Sequence, residues 1–265
     1  MDIDGTLIDA NEEIHPKDVA LLQEFPEQIQ PVLTTGRSLN TAKAVLQQNG
    51  LFVGVSLPIP GVFMNGGAAY QPGEVLAIKQ SFSPRTLKKL AILAKTYDNT
   101  AFSFFCLKDV YLVNPTSFAR HISQIHFLKA IEIMPDKVPG EVIKLMILDQ
   151  DRTTLAEIKR QTSDWDVEVA YSLPFAIEIN PPGITKAYTL QALLREMGLS
   201  SLPIYSVGDG ENDLSLFRLS QMSFAPDSAH PDILKKTDRI VNRKKDGLLI
   251  PILEQINKII SNPLS

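Results

Sequence analysis

Residues 2–6 read Asp-Ile-Asp-Gly-Thr, with two carboxylates one residue apart. On an extended segment, positions two apart point to the same side, so Asp2 and Asp4 converge on one small volume. Gly5 lets the chain bend there, because it adopts backbone angles closed to other residues. Such a pair suits a hard cation like Mg2+, which takes oxygen ligands. It equally suits covalent catalysis, in which one Asp attacks phosphorus. An Asp-Gly surface turn would carry the same residues, so both readings stand on this segment alone.

Three later segments bear on that choice. Val207-Gly208-Asp209-Gly210-Glu211-Asn212-Asp213 follows an apolar run, Leu202–Val207. A buried strand there delivers carboxylates onto a glycine-flanked loop, at the sheet edge where open α/β folds bind ligands. Asp209 is placed to complete a magnesium site with Asp2. Asp213, four residues on, fits either that site or an acidic first turn offsetting a helix dipole. Thr34-Thr35-Gly36-Arg37 puts a hydroxyl and backbone amides at a strand end opening into a helix, which is a phosphate cradle or an ordinary turn. In Pro182-Gly183-Ile184-Thr185-Lys186, a lysine opens a helix against its dipole. That position makes sense for a lysine aimed at an anion, and a solvated surface lysine is the alternative.

The elements that must position these residues alternate between strand and helix signals, which predicts an α/β fold. Short strands are expected at 31–34 and 62–64, and a Ser38-capped helix reaches Gln48 before Asn49-Gly50. The middle of the chain has a different texture. Ser83-Pro84 starts a helix, with Leu87, Leu90, Ala91 and Ala94 on one face. Strands are then expected at 102–107, 110–113, 142–148, 167–171 and 176–179, with a helix at 153–161. This predicts a core of residues 1–80 and 175–265, split by an α+β insert at 81–174, with boundaries near Gln80 and Pro174. Helices at 185–197, 212–219 and 247–260 complete the second core half.

The chain of 265 residues is long enough for two domains, and 44% hydrophobic with 21% charged residues is ordinary for a globular protein. No stretch reaches the roughly 18 apolar residues that cross a bilayer, and no secretory leader pattern is visible. A net charge of −4 argues against nucleic acid as main partner. It leaves room for a small anion, since a metal and one or two cations reverse the field locally. Cys106 is the only cysteine, so no intrachain disulfide forms and a cytoplasmic location is expected. Its apolar run, Ala101–Leu107, reads as a buried structural thiol.

Together the four segments resemble the haloacid dehalogenase-like superfamily of phosphohydrolases. Asp2-Ile3-Asp4-Gly5-Thr6 is similar to its DxDGT motif, and Gly208–Asp213 to GDGxND. Thr35-Gly36-Arg37, Asn65-Gly66 and the Glu178–Lys186 stretch resemble the Cof-type branch, whose α/β cap is inserted between the hydroxyl and lysine motifs. The resemblance covers nearly the whole chain. It implies a Rossmann-like parallel-sheet core with an inserted cap, and a Mg2+-dependent phosphomonoesterase. The expected substrate is a small phosphorylated metabolite, a sugar phosphate or a nucleotide- or cofactor-like phosphate. Asp2 is then nucleophile and metal ligand, and Asp4 the acid–base. The backbone carbonyl of Asp4, with Asp209 and Asp213, completes the Mg2+ shell. Thr35, Gly36 and Lys186 hold phosphoryl oxygens, Asn212 orients Lys186 or phosphate, and Arg37, Asn65 and Gly66 lie on the substrate side.

Cap residues set substrate choice in this superfamily, and Tyr111, Arg120, His121, Lys144 and Tyr171 are candidates by composition. A phosphotransferase or mutase on the same scaffold is the nearest alternative, and a non-catalytic metabolite-binding relative a further one. The protein is expected as a monomer or homodimer. Three departures stand out. Relatives carry an apolar strand of about five residues before the first Asp, where only Met1 stands, so the natural chain is expected to begin upstream or the sequence to lack that strand. Ala187 replaces a usual glycine. Ser223–Ala229, with Pro226, replaces a usual Ala-Met-Gly-Asn-Ala-like loop, and proline removes an amide donor there.

Overall fold

Short apolar runs ending in glycine-containing loops dominate both ends of this chain, and they build its parallel sheet. A computed structural model describes residues 1–52, 57–72, 74–76 and 81–261. In chain order the first elements are helix α1 (Pro16–Gln23), strand β1 (Leu33–Thr34), helix α2 (Leu39–Gln48), and strands β2 (Gly61–Phe63), β3 (Ala68–Gln71) and β4 (Glu74–Leu76). β1 and β2 pair in parallel, and β2–β3–β4 continue as antiparallel neighbours. The closing part of the core has helix α6 (Lys186–Glu196), strand β11 (Tyr205–Val207), helix α7 (Leu214–Leu219), strand β12 (Met222–Pro226), helix α8 (Pro231–Leu234), strand β13 (Arg239–Val241) and helix α9 (Leu249–Ser261). β11, β12 and β13 are parallel.

Met1-Asp2 lies between the two halves. The Thr34 amide donates to the Met1 carbonyl (2.8 Å), and the Asp2 amide donates to the Val207 carbonyl (3.0 Å). Its backbone therefore joins β1 to β11, and the carboxylate of Asp2 emerges at their C-terminal ends. α6 packs on β2 and β3, burying Leu190 and Leu193 against Val62 and Ala69. α1 and α9 lie together, and Leu22, Ile252 and Ile256 share the largest apolar cluster with Ile3, Leu33 and Phe224.

Between these halves lie helix α3 (Pro84–Thr96), strands β5 (Ala101–Phe105) and β6 (Val110–Val113), helix α4 (Ser117–Ile125), strands β7 (Ala130–Glu132) and β8 (Lys144–Leu148), helix α5 (Arg152–Thr162), and strands β9 (Glu168–Leu173) and β10 (Ala176–Asn180). They form one six-stranded sheet in the order β7-β6-β5-β8-β10-β9. All its pairings are antiparallel except β6–β7. One face packs under α3 and α5 through Leu90, Leu155, Phe102, Phe104, Leu145 and Ile147. Side chains alternate along a strand, so Phe105, Lys144, Met146 and Glu178 share the opposite face, which looks toward the core.

Two sequence expectations meet the structure differently. The return to the core was expected at Pro174, yet β10 (Ala176–Asn180) is an interior strand of the insert's sheet. An apolar strand reads alike in either sheet, and pairing with β8 decides it. The other boundary, near Gln80, lies outside the described residues. Cap signals, in contrast, act locally: Ser38 Oγ accepts from the Thr41 amide and Ser83 Oγ from the Thr86 amide, at the two expected helix starts. Among the described residues, no helix is long and apolar enough to cross a membrane.

Candidate active site

The turn after Met1-Asp2 places the first carboxylates. Gly5 has φ +72°, and a Cβ there would lie 2.2 Å from Asp209 Oδ2. Only glycine combines that backbone angle with so close an approach. The loop after β11 is equally tight, because a Cβ on Gly208 would lie 2.2 Å from Asp213 Cγ. Asp213 fixes this loop by accepting from the Asp209 and Gly210 amides at 3.1 Å each.

These loops bring together carboxylate oxygens of Asp2, Asp209 and Asp213, all within 4.8 Å of one another. Lys186, 1% exposed, opens α6 and donates to both Asp2 Oδ1 and Asp213 Oδ1 at 2.7 Å. The unfavourable helix-start lysine is thus aimed at anions, two carboxylates of its own chain. Thr6 Oγ1 donates to Asp209 Oδ1 at 2.8 Å. Three carboxylates against one ammonium leave a buried excess of negative charge. Burial raises the Asp2 carboxyl well above its usual range, with Lys186 opposing and Asp213 and Asp209 adding to the rise. Burial, then the charge of Asp213, pushes Asp209 up to about 7. Burial alone would lower Lys186, but Asp2 and Asp213 outweigh it and hold its ammonium charged. Closely spaced oxygen donors with excess negative charge fit a hard divalent cation such as Mg2+.

Asp4 points elsewhere. Arg37 grips its carboxylate with Nε (2.9 and 3.0 Å) and Nη2 (2.6 Å), and Nη2 also donates to Glu12 Oε1 at 2.8 Å. Burial pushes the Asp4 carboxyl up, but the Arg37 charge and hydrogen bonds outweigh it and hold Asp4 below its usual value. Of the expected metal set, Asp2, Asp209 and Asp213 come together, while the Asp4 carboxylate groups with Glu12 and His126. His126, just past α4, lies 3.4 Å from Glu12 Oε1. Burial, then the nearby Arg37, lowers the His126 pKa.

The other expected residues separate into lining and supporting groups. Asp2, Asp4, Gly36, Arg37, Asp209 and Asn212 line one cleft of about 690 Å3, mouth included, between the core loops and the insert. Lys186 and Asn65 line an adjacent cleft that Asn212 also borders. Thr35 is fully buried, and its Oγ1 accepts from the Arg37 amide at 3.0 Å, so it shapes the loop from beneath. Gly66 (φ +110°) is pressed against α6, where a Cβ would lie 2.5 Å from the Thr185 carbonyl. Its own carbonyl accepts from Thr189 Oγ1 at 2.8 Å. Asn65 stands at φ +54°, an angle asparagine tolerates better than most residues. It donates to Glu178 and accepts from Asn212 Nδ2 at 3.2 Å.

The insert supplies the cleft's far wall. Lys144, 1% exposed, donates to the Gly36 carbonyl at 2.6 Å and to Glu178. Of the five cap candidates, Lys144 alone borders this cleft. Arg120 pairs with Glu132 at the surface, His121 is exposed, and Tyr171 stacks under Lys159. Sequence reasoning passed over His126, Ser123, Ser172 and Glu12. For His126 the available signal was its spacing four residues after Ile122, which places both on one helix face.

A family model for haloacid dehalogenase-like hydrolases matches residues 1–250. An uncharacterized hydrolase of Schizosaccharomyces pombe, C215.10, is 29% identical, covering 97% of this chain and 90% of its own. The phosphoglycolate phosphatase of Methanothermobacter thermautotrophicus is 27% identical, covering 91% and 90%. The solved subclass IIB sugar phosphatase BT4131 superposes with a TM-score of 0.77 at 19% identity, over 97% of each chain. With its paired carboxylates, buried lysine and acidic loop at one sheet edge, this chain belongs to the haloacid dehalogenase-like hydrolases.

Proposed function

We propose that this protein is a Mg2+-dependent phosphomonoesterase that works through an aspartyl phosphate on Asp2. The observation that carries the reading is the buried Asp2–Lys186–Asp213–Asp209 cluster at a sheet edge beside the cleft between core loops and insert. The names of a phosphoglycolate phosphatase and a sugar phosphatase among similar proteins support the same class.

In the first step a carboxylate oxygen of Asp2 attacks phosphorus, and the ester bond to the alcohol oxygen breaks. Asp4 delivers a proton to that leaving oxygen. In the second step a water gives its proton to Asp4 and attacks phosphorus. The bond to Asp2 breaks, releasing inorganic phosphate and restoring the carboxylate. Lys186 holds Asp2 in place and supplies positive charge where the equatorial oxygens gather negative charge. Asp2, Asp209 and Asp213 would hold Mg2+, which when bound polarises the phosphoryl group and keeps these carboxylates ionised. The grip of Arg37 keeps Asp4 ionised, so proton delivery requires that grip to loosen once substrate oxygens engage the guanidinium. The insert, from α3 through β10, acts as a cap that closes the cleft over the substrate.

Asp2→Asn tests the mechanism. The variant is expected to lose more than about 1,000-fold in Mg2+-dependent hydrolysis of an aryl phosphate, with an unchanged circular dichroism spectrum. Near wild-type turnover in that variant would rule the mechanism out.

A further inference from the structure

The cleft over Asp2 holds three buried polar atoms that no group in the protein satisfies. They are Ser123 Oγ, Ser172 Oγ and Arg37 Nη1. Buried polar groups are normally hydrogen-bonded, and leaving one without a partner is destabilising. All three residues border the same space, so the deficit is concentrated where a ligand would sit.

Local structure explains why the two serines are aimed there. Ser123 is 8% exposed on α4. A helix serine commonly satisfies itself on the carbonyl four residues back, yet Ser123 Oγ makes no such bond. Its helix neighbours Ile122 and His126 border the cleft with it, so the hydroxyl belongs to that face.

Ser172 reaches the cleft by a different route. On β9, Leu173 pairs with Ala176 and Tyr171 with Ile177, which leaves Ser172 as the extra residue of a β-bulge. Consecutive strand residues normally face opposite sides, but Ser172 and Leu173 both line the cleft. Bulges re-aim side chains in this way beside active sites.

The rest of the insert's wall is apolar Phe105, Ile122, Leu128, Met146 and Leu173, together with Lys144, Glu178 and His126, which already face Gly36, Asn65 and Glu12. The apolar side chains accept the C–H edge of a carbon chain. The two serines donate or accept, whereas Arg37 Nη1 donates only. A ligand satisfying all three carries oxygens along one edge and C–H along the other.

We propose that Ser123 and Ser172 bind hydroxyl groups of the substrate's alcohol portion, so that the enzyme selects monoesters of short polyols or sugars. The inference rests on the phosphomonoesterase reading and narrows its substrate class. Arg37 Nη1 supplies a third donor to an oxygen on the same chain.

The test compares kcat/KM for three- to six-carbon polyol phosphates with that for n-alkyl phosphates of equal length, with an aryl phosphate as the measure of basal hydrolysis. Wild-type protein is expected to prefer the best polyol phosphate by 10- to 100-fold, on the order of tenfold per hydroxyl bound. Ser123→Ala and Ser172→Ala are each expected to bring that preference about tenfold closer to one. A purely structural role for either serine would lower both substrates together and leave the ratio unmoved, and that result overturns the proposal. The substrate comparison also stands on the wild-type protein alone, with no variant to misfold. If the wild type hydrolyses the aryl phosphate but shows no polyol preference, the substrate class is wrong and the phosphatase reading survives. If it hydrolyses none of these esters with Mg2+, both fail.

Discussion

Asp209→Asn should make the metal-free protein more stable while destroying its response to Mg2+. Asp209 sits in a buried group with Asp2 and Asp213, and burial together with Asp213 lifts its pKa from 3.8 to about 7. A folded-state pKa above the unfolded value means the native state holds a proton that the unfolded chain has lost. Stability contributed by that proton is complete below about pH 4 and is lost as pH rises to 7. Above pH 7 the folded protein carries the full cost of an ionised Asp209. A displacement of about three units, at roughly 1.4 kcal/mol each, amounts to about 4 kcal/mol. Asparagine is nearly isosteric, keeps an oxygen for the Thr6 hydroxyl, and removes the charge. The assay is thermal unfolding from pH 4 to 8, in EDTA and in millimolar Mg2+. In EDTA at pH 8 the variant should melt higher than wild type, by on the order of 10 °C for a chain of this size. The advantage should shrink toward zero at pH 4. Added Mg2+ should raise the melting temperature of wild type but not of the variant, since a ligand stabilises only the state that binds it. A variant less stable than wild type at pH 8 in EDTA would refute the electrostatic reasoning, and equal Mg2+ stabilisation of both would refute the metal assignment.

Two further perturbations probe the neighbouring geometry. Gly5→Ala forces a side chain into φ +72° and within 2.2 Å of Asp209 Oδ2. It should cost about 1–3 kcal/mol and lower kcat at temperatures where the fold is intact, and full activity would show that the Gly5–Asp209 contact does not matter. Arg37→Ala removes the charge that holds Asp4 below its usual pKa against burial. Burial then prevails, Asp4 keeps its proton to higher pH, and the alkaline limb of the kcat/KM–pH profile, where the proton donor is lost, should move up. An unmoved limb would mean that Asp4 is not the group titrating there.

What could be read from the chain divides along the range of the interactions involved. Gly36, Arg37, Asp209 and Asn212 lie in loops directly after short apolar strands, which a sheet carries to one edge, and Asp2 and Asp4 follow Met1, whose backbone joins β1 to β11 at that edge. Their convergence on one cleft follows from spacing and strand order alone. The orientation of Asp4 does not, because it depends on Arg37, 33 positions away, competing with the other carboxylates for it. Lys144 looked like any other cap residue until the pairing of β5 with β8 placed it beside Phe105 and over Gly36. Ser172 is the hardest case, since a bulge appears only when two strands are in register. The return to the core was misplaced for a similar reason: Ala176–Asn180 is apolar enough for either sheet, and only its partners reveal which.

One buried contact between the insert and the core is made by an ion pair that is complete on one side. Lys144 and Glu178 both belong to the insert's sheet, and each reaches across to a neutral group: Lys144 to the Gly36 carbonyl, Glu178 to the Asn65 amide. If the two parts separate there, these two charges travel together and leave no bare ion at that contact. The energy at stake is that of hydrogen bonds to charged groups, about 1.5–3 kcal/mol each and largely recovered from water. Lys159 of α5 does pair with Glu211 of the core loop across the gap, but both side chains are partly exposed, so water takes over each charge as they part. The join is therefore firm enough to shut the cleft and light enough to release, so the departure of phosphate need not wait on breaking a buried ion pair.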